Sequence, residues 1–427
     1  MKKILGVAML LFLSTVTAVF AQTSSAPRSY YVSASGDDNN NGRSEETPYK
    51  TLKKAVDMAN AGVIKTITVI GTVNGESLEQ SGNDEILITG KADTGEAEKA
   101  VLRSGFEVAG KFRFTHIRIQ GGLRSDGSVV TLGEGTLVSN PDGTGISGGD
   151  KISMTGNATI SGCGLGVSCD TLTMSDNAVI SGNTGYGGVS CDTLTMSGNA
   201  VISGNTTSGS RGGGVRCDTL TMSDNAAISG NTVNYHSDWG AGGGGGGVSC
   251  DTLTMSDNAV ISGNTASDGG GGVSCDTLTM SGNAAISGNT ASGSGGGVSC
   301  DTLTMSGNVV ISGNTASYNG GGVYVNNKLV MNGGKITTNT AKQGGGVYAI
   351  GDSTMSGGEI SGNKAEHGAG VYVENYAFTH KGGTITGNEA EFVGGGVYVK
   401  TGGTYNAQGG TVTGNSAGDG GENVFRQ

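Results

Sequence analysis

A short segment ending in asparagine, most often Ser-Gly-Asn, recurs at a nearly fixed interval and constrains the fold more than any other feature. The asparagines lie mostly 24 to 27 residues apart, at Asn183, Asn205, Asn231, Asn264, Asn289, Asn314, Asn339, Asn363, Asn388 and Asn415. A period of this length is the signature of a solenoid, in which each repeat is one structural unit. The 83 glycines among 427 residues could indicate low complexity, but Val, Ile, Leu and Met recur at fixed places. The pattern therefore predicts a folded array rather than a disordered chain.

Each repeat predicts three short strands, namely Gly-Gly-Val-Ser-Cys, Thr-Leu-Thr-Met and Ala-Val-Ile-Ser-Gly-Asn. Alternation turns Val167, Cys169, Leu172, Met174 and Ile180 inward. Coils stacked at about 4.8 Å bury these residues in continuous columns and pair every strand with the next. We predict an all-β fold, a right-handed single-stranded parallel β-helix, in which the asparagines pass amide hydrogen bonds along the stack.

The chain before the repeats divides into three further parts. Residues 1–21 contain two lysines, an apolar stretch and Ala21, and this pattern predicts a signal peptide. We therefore expect an exported protein, located at the outer surface or outside the cell. We expect no transmembrane span in the mature chain. Residues 22–64 predict a cap with a helix near 48–60, begun by Thr47 and Pro48. We expect irregular coils over residues 65–160 and regular repeats of about 25 residues over 161–427. A formal net charge of −11 argues against binding nucleic acid.

Two segments resemble known bacterial families. The opening Tyr-Tyr-Val-Ser-Ala-Ser-Gly-Asp at 30–37, followed by Pro-Tyr-Lys-Thr-Leu at 48–52, resembles the start of pectate-lyase-like β-helix proteins, which implies the fold. The segments Gly-Gly-Gly-Val-Tyr-Val and Ile-Ser-Gly-Asn-Thr-Ala resemble the repeats of polymorphic outer membrane proteins and related adhesins, over residues 161–427. That resemblance implies an adhesin exposed at the cell surface.

Cysteine and aspartate occupy neighbouring columns of the repeats. The cysteines are Cys169, Cys191, Cys217, Cys250, Cys275 and Cys300, and the aspartates are Asp170, Asp192, Asp218, Asp251, Asp276 and Asp301. Later coils carry Val325, Ala349 and Val373 in the cysteine column. We therefore expect buried free thiols rather than disulfides, and Cys163 falls in the asparagine column. The aspartates are either solvated turn residues or ligands for divalent cations.

Aromatic residues supply the candidates for ligand binding. We expect Tyr324, Tyr348, Tyr372 and Tyr398 to stack as an exposed column that docks a glycan or a protein, or that stabilises itself as a ladder. Tyr235 and Trp239 lie in the longest interval between repeats, of 33 residues. A loop there is either a recognition element or a tolerated insertion.

One short loop is a candidate for a metal. Asp37, Asn39 and Asn41 match the first half of a calcium-binding loop, although Pro48 stands where the twelfth position needs glutamate. Calcium is therefore the one cofactor that the sequence indicates.

Copied coils present the same outward groups repeatedly, which favours multivalent binding over catalysis. We therefore predict an exported adhesin-like binding or structural module. End-to-end self-association through the uncapped edge of the last coil is a further expectation. One alternative is a polysaccharide-active enzyme on the irregular coils, where Lys111, Arg113 and Arg118 would project from one strand beside His116. A second is an ice-binding solenoid that uses the outward Thr-x-Thr pairs, such as those at 171 and 173.

Overall fold

The computed structural model describes residues 29–91, 100–209, 212–234 and 244–427. These residues form a right-handed parallel β-solenoid of about 14 turns with one short helix, which confirms the predicted fold class. The predicted signal peptide, residues 1–21, lies outside the described residues.

The largest sheet bends around the solenoid and contains 25 strands among the described residues. In chain order these are Tyr30–Ser33, Thr66–Ile70, Leu78–Glu79, Ile86–Lys91, Phe106–Ala109, Lys111–Thr115, Leu123–Ser125, Val129–Leu132, Thr144–Ser147, Lys151–Met154, Leu165–Met174, Gly187–Met196, Val215–Arg216, Thr219–Met222, Val248–Met255, Val273–Met280, Val298–Met305, Val323–Met331, Val347–Ala349, Ser353–Met355, Val371–Val373, Ala377–His380, Val397–Val399, Thr404–Ala407 and Val424–Arg426.

The second sheet has 15 strands within the same described ranges. They are Thr72–Asn74, Ala100–Arg103, Ile117–Gln120, Leu137–Ser139, Thr159–Ser161, Val179–Ser181, Val201–Ser203, Ala227–Ser229, Val260–Ser262, Ala285–Ser287, Val310–Ser312, Lys335–Thr337, Glu359–Ser361, Thr384–Thr386 and Thr411–Thr413. Two narrow sheets complete the coils, and their strands are Thr184–Gly185, Thr206–Thr207, Thr232–Val233, Thr265–Ala266, Thr290–Ala291 and Thr315–Ala316, then Lys364–His367, Glu389–Val393 and Ser416–Ala417.

The regular coil differs from the predicted coil in two respects. The first two predicted strands are one continuous strand, as in Val273–Met280, because the ladder continues past the Cys-Asp pair instead of turning there. A short strand, such as Thr290–Ala291, follows most of the asparagines and was missed. The coil therefore bends at Cys-Asp without interrupting its backbone pairing.

Identical residues pair with one another from coil to coil. Leu278 pairs with Leu303 and Met280 with Met305, and all four side chains are fully buried. Because each column repeats one side chain, its packing in one coil recurs in the next, and the apolar core runs the length of the solenoid.

Buried asparagines form a hydrogen-bonded ladder beside this core. The backbone N–H of Asn264 donates to Oδ1 of Asn289 at 2.9 Å, and its Nδ2 donates to the same oxygen at 3.0 Å and to the Ile228 carbonyl at 3.1 Å. The pattern continues to Asn415. At the other end, Cys163 takes the asparagine position, donating its N–H to Asn183 while its Sγ accepts from the Asn140 N–H.

Paired glycines leave room for the asparagine ladder. A Cβ on Gly272 would lie 2.7 Å from the Gly297 carbonyl oxygen and 2.9 Å from Nδ2 of Asn289. No side chain fits there, so the Gly-Gly-Val motif follows from the close approach of neighbouring coils.

The helix spans Leu52–Ala61 and packs its apolar face on the first coil. Thr51, rather than Thr47, is its N-cap and accepts from the Lys54 N–H at 3.2 Å. Asp38 fixes this start, because Oδ1 accepts from the Lys50 and Thr51 N–H groups and Oδ2 from the Thr51 hydroxyl. The predicted start at Thr47 and Pro48 was therefore placed too early.

Candidate binding groove on the regular coils

An open groove of about 590 Å³ follows the bend of the largest sheet across the regular coils. We call it the Ser-Cys-Asp groove, after the three columns that line it. Its lining residues are Ser168, Cys169, Ser190, Cys191, Asp192, Arg216, Cys217, Asp218, Ser249, Cys250, Asp251, Ser274, Cys275, Asp276, Ser299, Cys300, Asp301 and Asn326. Arg216 is the one basic side chain in this set, so the groove is acidic and polar.

The cysteines lie deepest in the groove. They are 2 to 9% exposed, whereas the flanking serines and aspartates are more accessible. Cys250 pairs with Cys275, and Cys275 with Cys300, as direct neighbours in the parallel ladder. All seven cysteines of the chain are free, and for the six in the column this agrees with the prediction from the coil spacing.

The surroundings of the thiols favour their protonated form. Burial raises the pKa of Cys169 to about 12, and the carboxylates of Asp170 and Asp192 add to this effect. Burial also raises the pKa of Cys300, with a contribution from Asp301. At neutral pH the column therefore consists of thiols, which are poor nucleophiles.

The groove ends where the repeat changes. Cys300 pairs with Val325, and the register shifts between Cys300 and Thr302. Asn326 occupies this shift and donates its side-chain amide to Oδ1 of Asp301 at 3.0 Å. The next coils have apolar residues in the cysteine column, so the groove is confined to the cysteine-bearing coils.

A threonine grid lies beside the groove on the same continuous strands. Thr277 pairs with Thr302 and Thr279 with Thr304, and the same pairing joins the earlier coils. The grid therefore presents two columns of threonine in register on a parallel sheet.

The predicted tyrosine column forms, but the expectation that it is exposed was wrong. The rings of Tyr348 and Tyr372 stack with centroids 4.8 Å apart, and those of Tyr372 and Tyr398 stack at 4.6 Å. These three residues are only 4 to 8% exposed, while Tyr324 at the edge of the stack is half-buried. Each ring covers the face of its neighbour, and Phe425 covers the last ring.

Polar groups hold the hydroxyl ends of this stack. The Tyr348 hydroxyl donates to Glu374, whose carboxylate also pairs with Lys400. The Tyr398 hydroxyl donates to Oε1 of Gln427 at 2.9 Å. Burial raises the pKa of Tyr348, and Glu374 adds to this effect. These contacts support the self-stabilising ladder.

The calcium candidates Asp37, Asn39 and Asn41 lie in a tight loop whose oxygens accept hydrogen bonds from the chain. Oδ1 of Asp37 accepts from the backbone N–H and the side-chain amide of Asn39, both at 2.9 Å. Oδ1 of Asn41 accepts from the Arg43 N–H at 2.9 Å and the Thr47 hydroxyl at 3.0 Å. Donors from the chain itself therefore contact both oxygens, and calcium binding here stays a prediction.

A second groove, of about 460 Å³, lies on the irregular coils and was not predicted in detail. Glu76, Glu107 and Arg124 line it, and Arg124 contacts Glu107 at 3.7 Å and Asp126 at 2.7 Å. Burial raises the pKa of Glu76, although the N–H groups of Leu52 and Lys53 oppose this shift.

The basic residues predicted for an enzyme do not share one strand. Lys111 and Arg113 lie on Lys111–Thr115 in the largest sheet, and Arg118 lies on Ile117–Gln120 in the second sheet. His116 forms the corner between them with a φ of 52°. Arg113 pairs with Glu85 at 2.8 Å. The turn at His116 directs these side chains to different faces of the solenoid.

Tyr235 and Trp239, the remaining aromatic candidates, lie outside the described residues. The Ser-Cys-Asp groove itself was not predicted, because sequence reasoning assigned the cysteines to the core and considered the aspartates separately, as turn residues or ligands for divalent cations. The signal was the Ser-Cys-Asp tripeptide, which alternates outward, inward and outward groups at a bend.

The family model described as periplasmic copper-binding protein (NosD) matches residues 246–424, less than half of the chain. This part contains the coils of Cys250, Cys275 and Cys300 and all of the tyrosine column. No curated protein and no solved structure matches the chain. Over the described ranges, no helix is long and apolar enough to cross a membrane.

A copper-binding family prompts the question of which donors this chain offers. Within the part of the chain that the structure describes, no three His, Cys, Asp or Glu side chains form a group that could hold a metal ion. The thiols of the cysteine column are soft donors in neighbouring pairs. Their chemistry suits a soft ion that accepts two ligands.

Proposed function

We propose that the chain is an exported, adhesin-like binding module that holds an extended partner along the repeated face of its regular coils. The observation that carries this proposal is the Ser-Cys-Asp groove, in which the same outward groups recur in register from coil to coil. The match to a periplasmic family and the predicted signal peptide support export.

Charge indicates the chemistry of the partner. Aspartates line the groove coil after coil, opposed by Arg216. A partner with positive charges at regular intervals contacts several carboxylates at once, and each contact raises the effective concentration for the next. A basic protein segment or an amine-bearing glycan at the cell surface meets this requirement.

The test is a binding screen of residues 22–427 against glycans and host matrix proteins. The groove variant Asp218→Asn/Asp251→Asn/Asp276→Asn removes three carboxylates from the groove. Its matched control, Asp176→Asn/Asp224→Asn/Asp257→Asn, removes three carboxylates from exposed turns elsewhere, where a positive φ suits asparagine.

We expect saturable binding that weakens at least about tenfold in the groove variant and persists in the control. No binding by the parent chain, or equal losses in both variants, would contradict the proposal. Because surface charges are screened by salt, binding should also weaken as ionic strength rises.

The threonine grid supports a second candidate function, ice binding. Its two columns are in register over six coils, and the coil spacing of about 4.8 Å gives them a regular period. Ice binding predicts thermal hysteresis that is lost in Thr221→Lys/Thr254→Lys. Freezing behaviour identical to that of albumin at equal concentration would exclude this function.

We also propose that this chain binds copper, the metal that the description of the matched family names. The thiols of Cys250, Cys275 and Cys300 would hold it, since they are the soft donors that the matched part places next to one another along an open groove. Held by two of these thiols as thiolates, a copper ion would lie at the floor of the groove.

A further inference from the structure

We propose that the cysteine column is a site for soft monovalent metal ions of the Cu(I) class, each held between the thiols of two neighbouring coils. This inference deepens the proposed binding function by naming a ligand for the floor of the groove. It concerns six residues, Cys169, Cys191, Cys217, Cys250, Cys275 and Cys300.

The coil spacing suits a shared ion better than a disulfide. Cys169 pairs in register with Cys191, and Cys275 pairs with both Cys250 and Cys300, so these backbones lie about 4.8 Å apart. A disulfide prefers about 3.8 Å between Cβ atoms. Two metal–sulfur bonds of about 2.3 Å each span about 4.6 Å, which is close to the repeat of the column. A two-coordinate ion therefore fits between stacked thiols with little movement of the backbone.

The donor set selects the class of ion. Thiols are soft ligands that favour Cu(I). Zinc needs four ligands in a tetrahedron, and the described residues contain no group of three such side chains. The pairwise column therefore favours an ion that two thiols satisfy.

Binding exchanges protons for metal without any change of oxidation state. Two thiols and one M⁺ give a bis-thiolate complex and two protons, 2 RSH + M⁺ → [RS–M–SR]⁻ + 2 H⁺. Because the thiols are protonated at neutral pH, affinity should rise with pH. The aspartate column attracts cations to the groove and raises their local concentration beside the thiols.

The alternative to a metal site is a column that serves only as an apolar part of the core. Val325, Ala349 and Val373 fill it in later coils, so cysteine is not required for packing. The natural occurrence of valine at this position also suggests the test variant, because a cysteine-to-valine substitution should preserve the fold.

The experiment is an anaerobic titration of the reduced mature chain, residues 22–427, with Cu(I) supplied as its acetonitrile complex and, separately, with Ag⁺. Thiolate-to-metal absorption, released protons and the stoichiometry by native mass spectrometry are recorded. The test variant is Cys217→Val/Cys250→Val/Cys275→Val/Cys300→Val, and the control is Cys163→Val, outside the column. Circular dichroism and denaturant unfolding check that each variant is folded.

We expect about three ions per chain, because each ion takes two of the six thiols and no thiol is shared, with up to about two protons released per ion. The folded test variant should lose the ions of its valine-substituted coils, leaving about one at Cys169 and Cys191, and the control should keep about three. An unchanged stoichiometry in the folded test variant, or no charge-transfer absorption in the parent chain, would overturn the inference. Either failure leaves the carboxylates unaltered, so surface binding is judged separately by the aspartate variants.

Discussion

Nδ2 of Asn264 donates to Oδ1 of Asn289 in the next coil at 3.0 Å, and Asn289 donates in the same way to Asn314. Each buried amide thus satisfies the coil before it and is satisfied by the coil after it. A second ladder, which includes Asn258 and Asn283, runs along the exposed turns. The two ladders have the same chemistry but differ in burial.

Replacing Asn289 with alanine should destabilise the chain by about 3 kcal/mol, because it leaves the buried N–H of Asn264 without an acceptor and its Nδ2 with the Ile228 carbonyl alone. Asn283→Ala removes two exposed ladder bonds, to Asn258 and from Asn308, and should cost less than about 1 kcal/mol. Guanidinium unfolding followed by circular dichroism measures both. Equal losses would show that burial does not set the value of these bonds.

Replacing Tyr372 with serine should cost about 3 kcal/mol, because the ring stacks between Tyr348 and Tyr398 and leaves a cavity. Tyr324→Ser removes the half-buried ring at the edge and restores the serine of the preceding coil, so its cost should be less than half as large. The midpoint of denaturant unfolding distinguishes them.

Substitutions in the tyrosine column also test the predicted aromatic binding site. We expect Tyr348→Ser/Tyr372→Ser to keep its affinity for the partner found in the screen, because the native rings are covered by one another. If the folded tyrosine variant loses binding while the groove variant retains it, the binding site lies on the tyrosine column.

His380 should make the stability depend on pH. Burial lowers the pKa of His380 below its ordinary 6.5, and Nδ1 lies 2.8 Å from the Tyr405 hydroxyl. The unfolded chain therefore binds a proton more readily, so stability should fall as pH decreases through 6.5 and level off below the folded pKa. His380→Met places in this column the residue that Met355 provides one coil earlier. That variant should lose this part of the dependence when unfolding is measured from about pH 7.5 to about pH 5; an unchanged profile would assign it to other groups.

The column thiols should react slowly while the protein is folded. Burial raises the pKa of Cys169 to about 12, so little thiolate is present at pH 8, and we expect alkylation at least about 100-fold slower than in the unfolded chain. Iodoacetamide labelling followed by mass spectrometry measures the rate at each cysteine. Rapid labelling without denaturant, or disulfides between neighbouring column residues, would contradict the buried-thiol arrangement.

The fold class could be predicted from the sequence because a solenoid repeats one local pattern, and that pattern fixes which side chains are buried. The repeat and the alternation within the strand were sufficient to assign Leu278 and Met280 to the core. The bend at Cys275 and Asp276 was harder, because aspartate usually indicates a turn and the ladder of the neighbouring coil holds it in a strand.

The burial of Tyr372 could not be predicted from its own strand. Alternation along the strand places its side chain on the outer face, where the rings one coil above and one coil below bury it. The helix start was misplaced for a similar reason, since the contacts of Asp38 select Thr51 as the cap from thirteen residues away. Both depend on contacts between segments, which periodicity within one segment does not contain.

The central claim is that repetition itself creates the binding surface, and removing whole coils tests it most directly. Deleting residues 265–314 removes two periods of 25 residues, including Cys275 and Cys300, and restores the stacking of Asn264 on the next asparagine. The account predicts a folded chain with an unchanged β signal per residue and at least about tenfold weaker binding to its partner in surface plasmon resonance. A folded deletion variant that binds as tightly as the parent chain would contradict it, because the site would then be a single unique place on the solenoid.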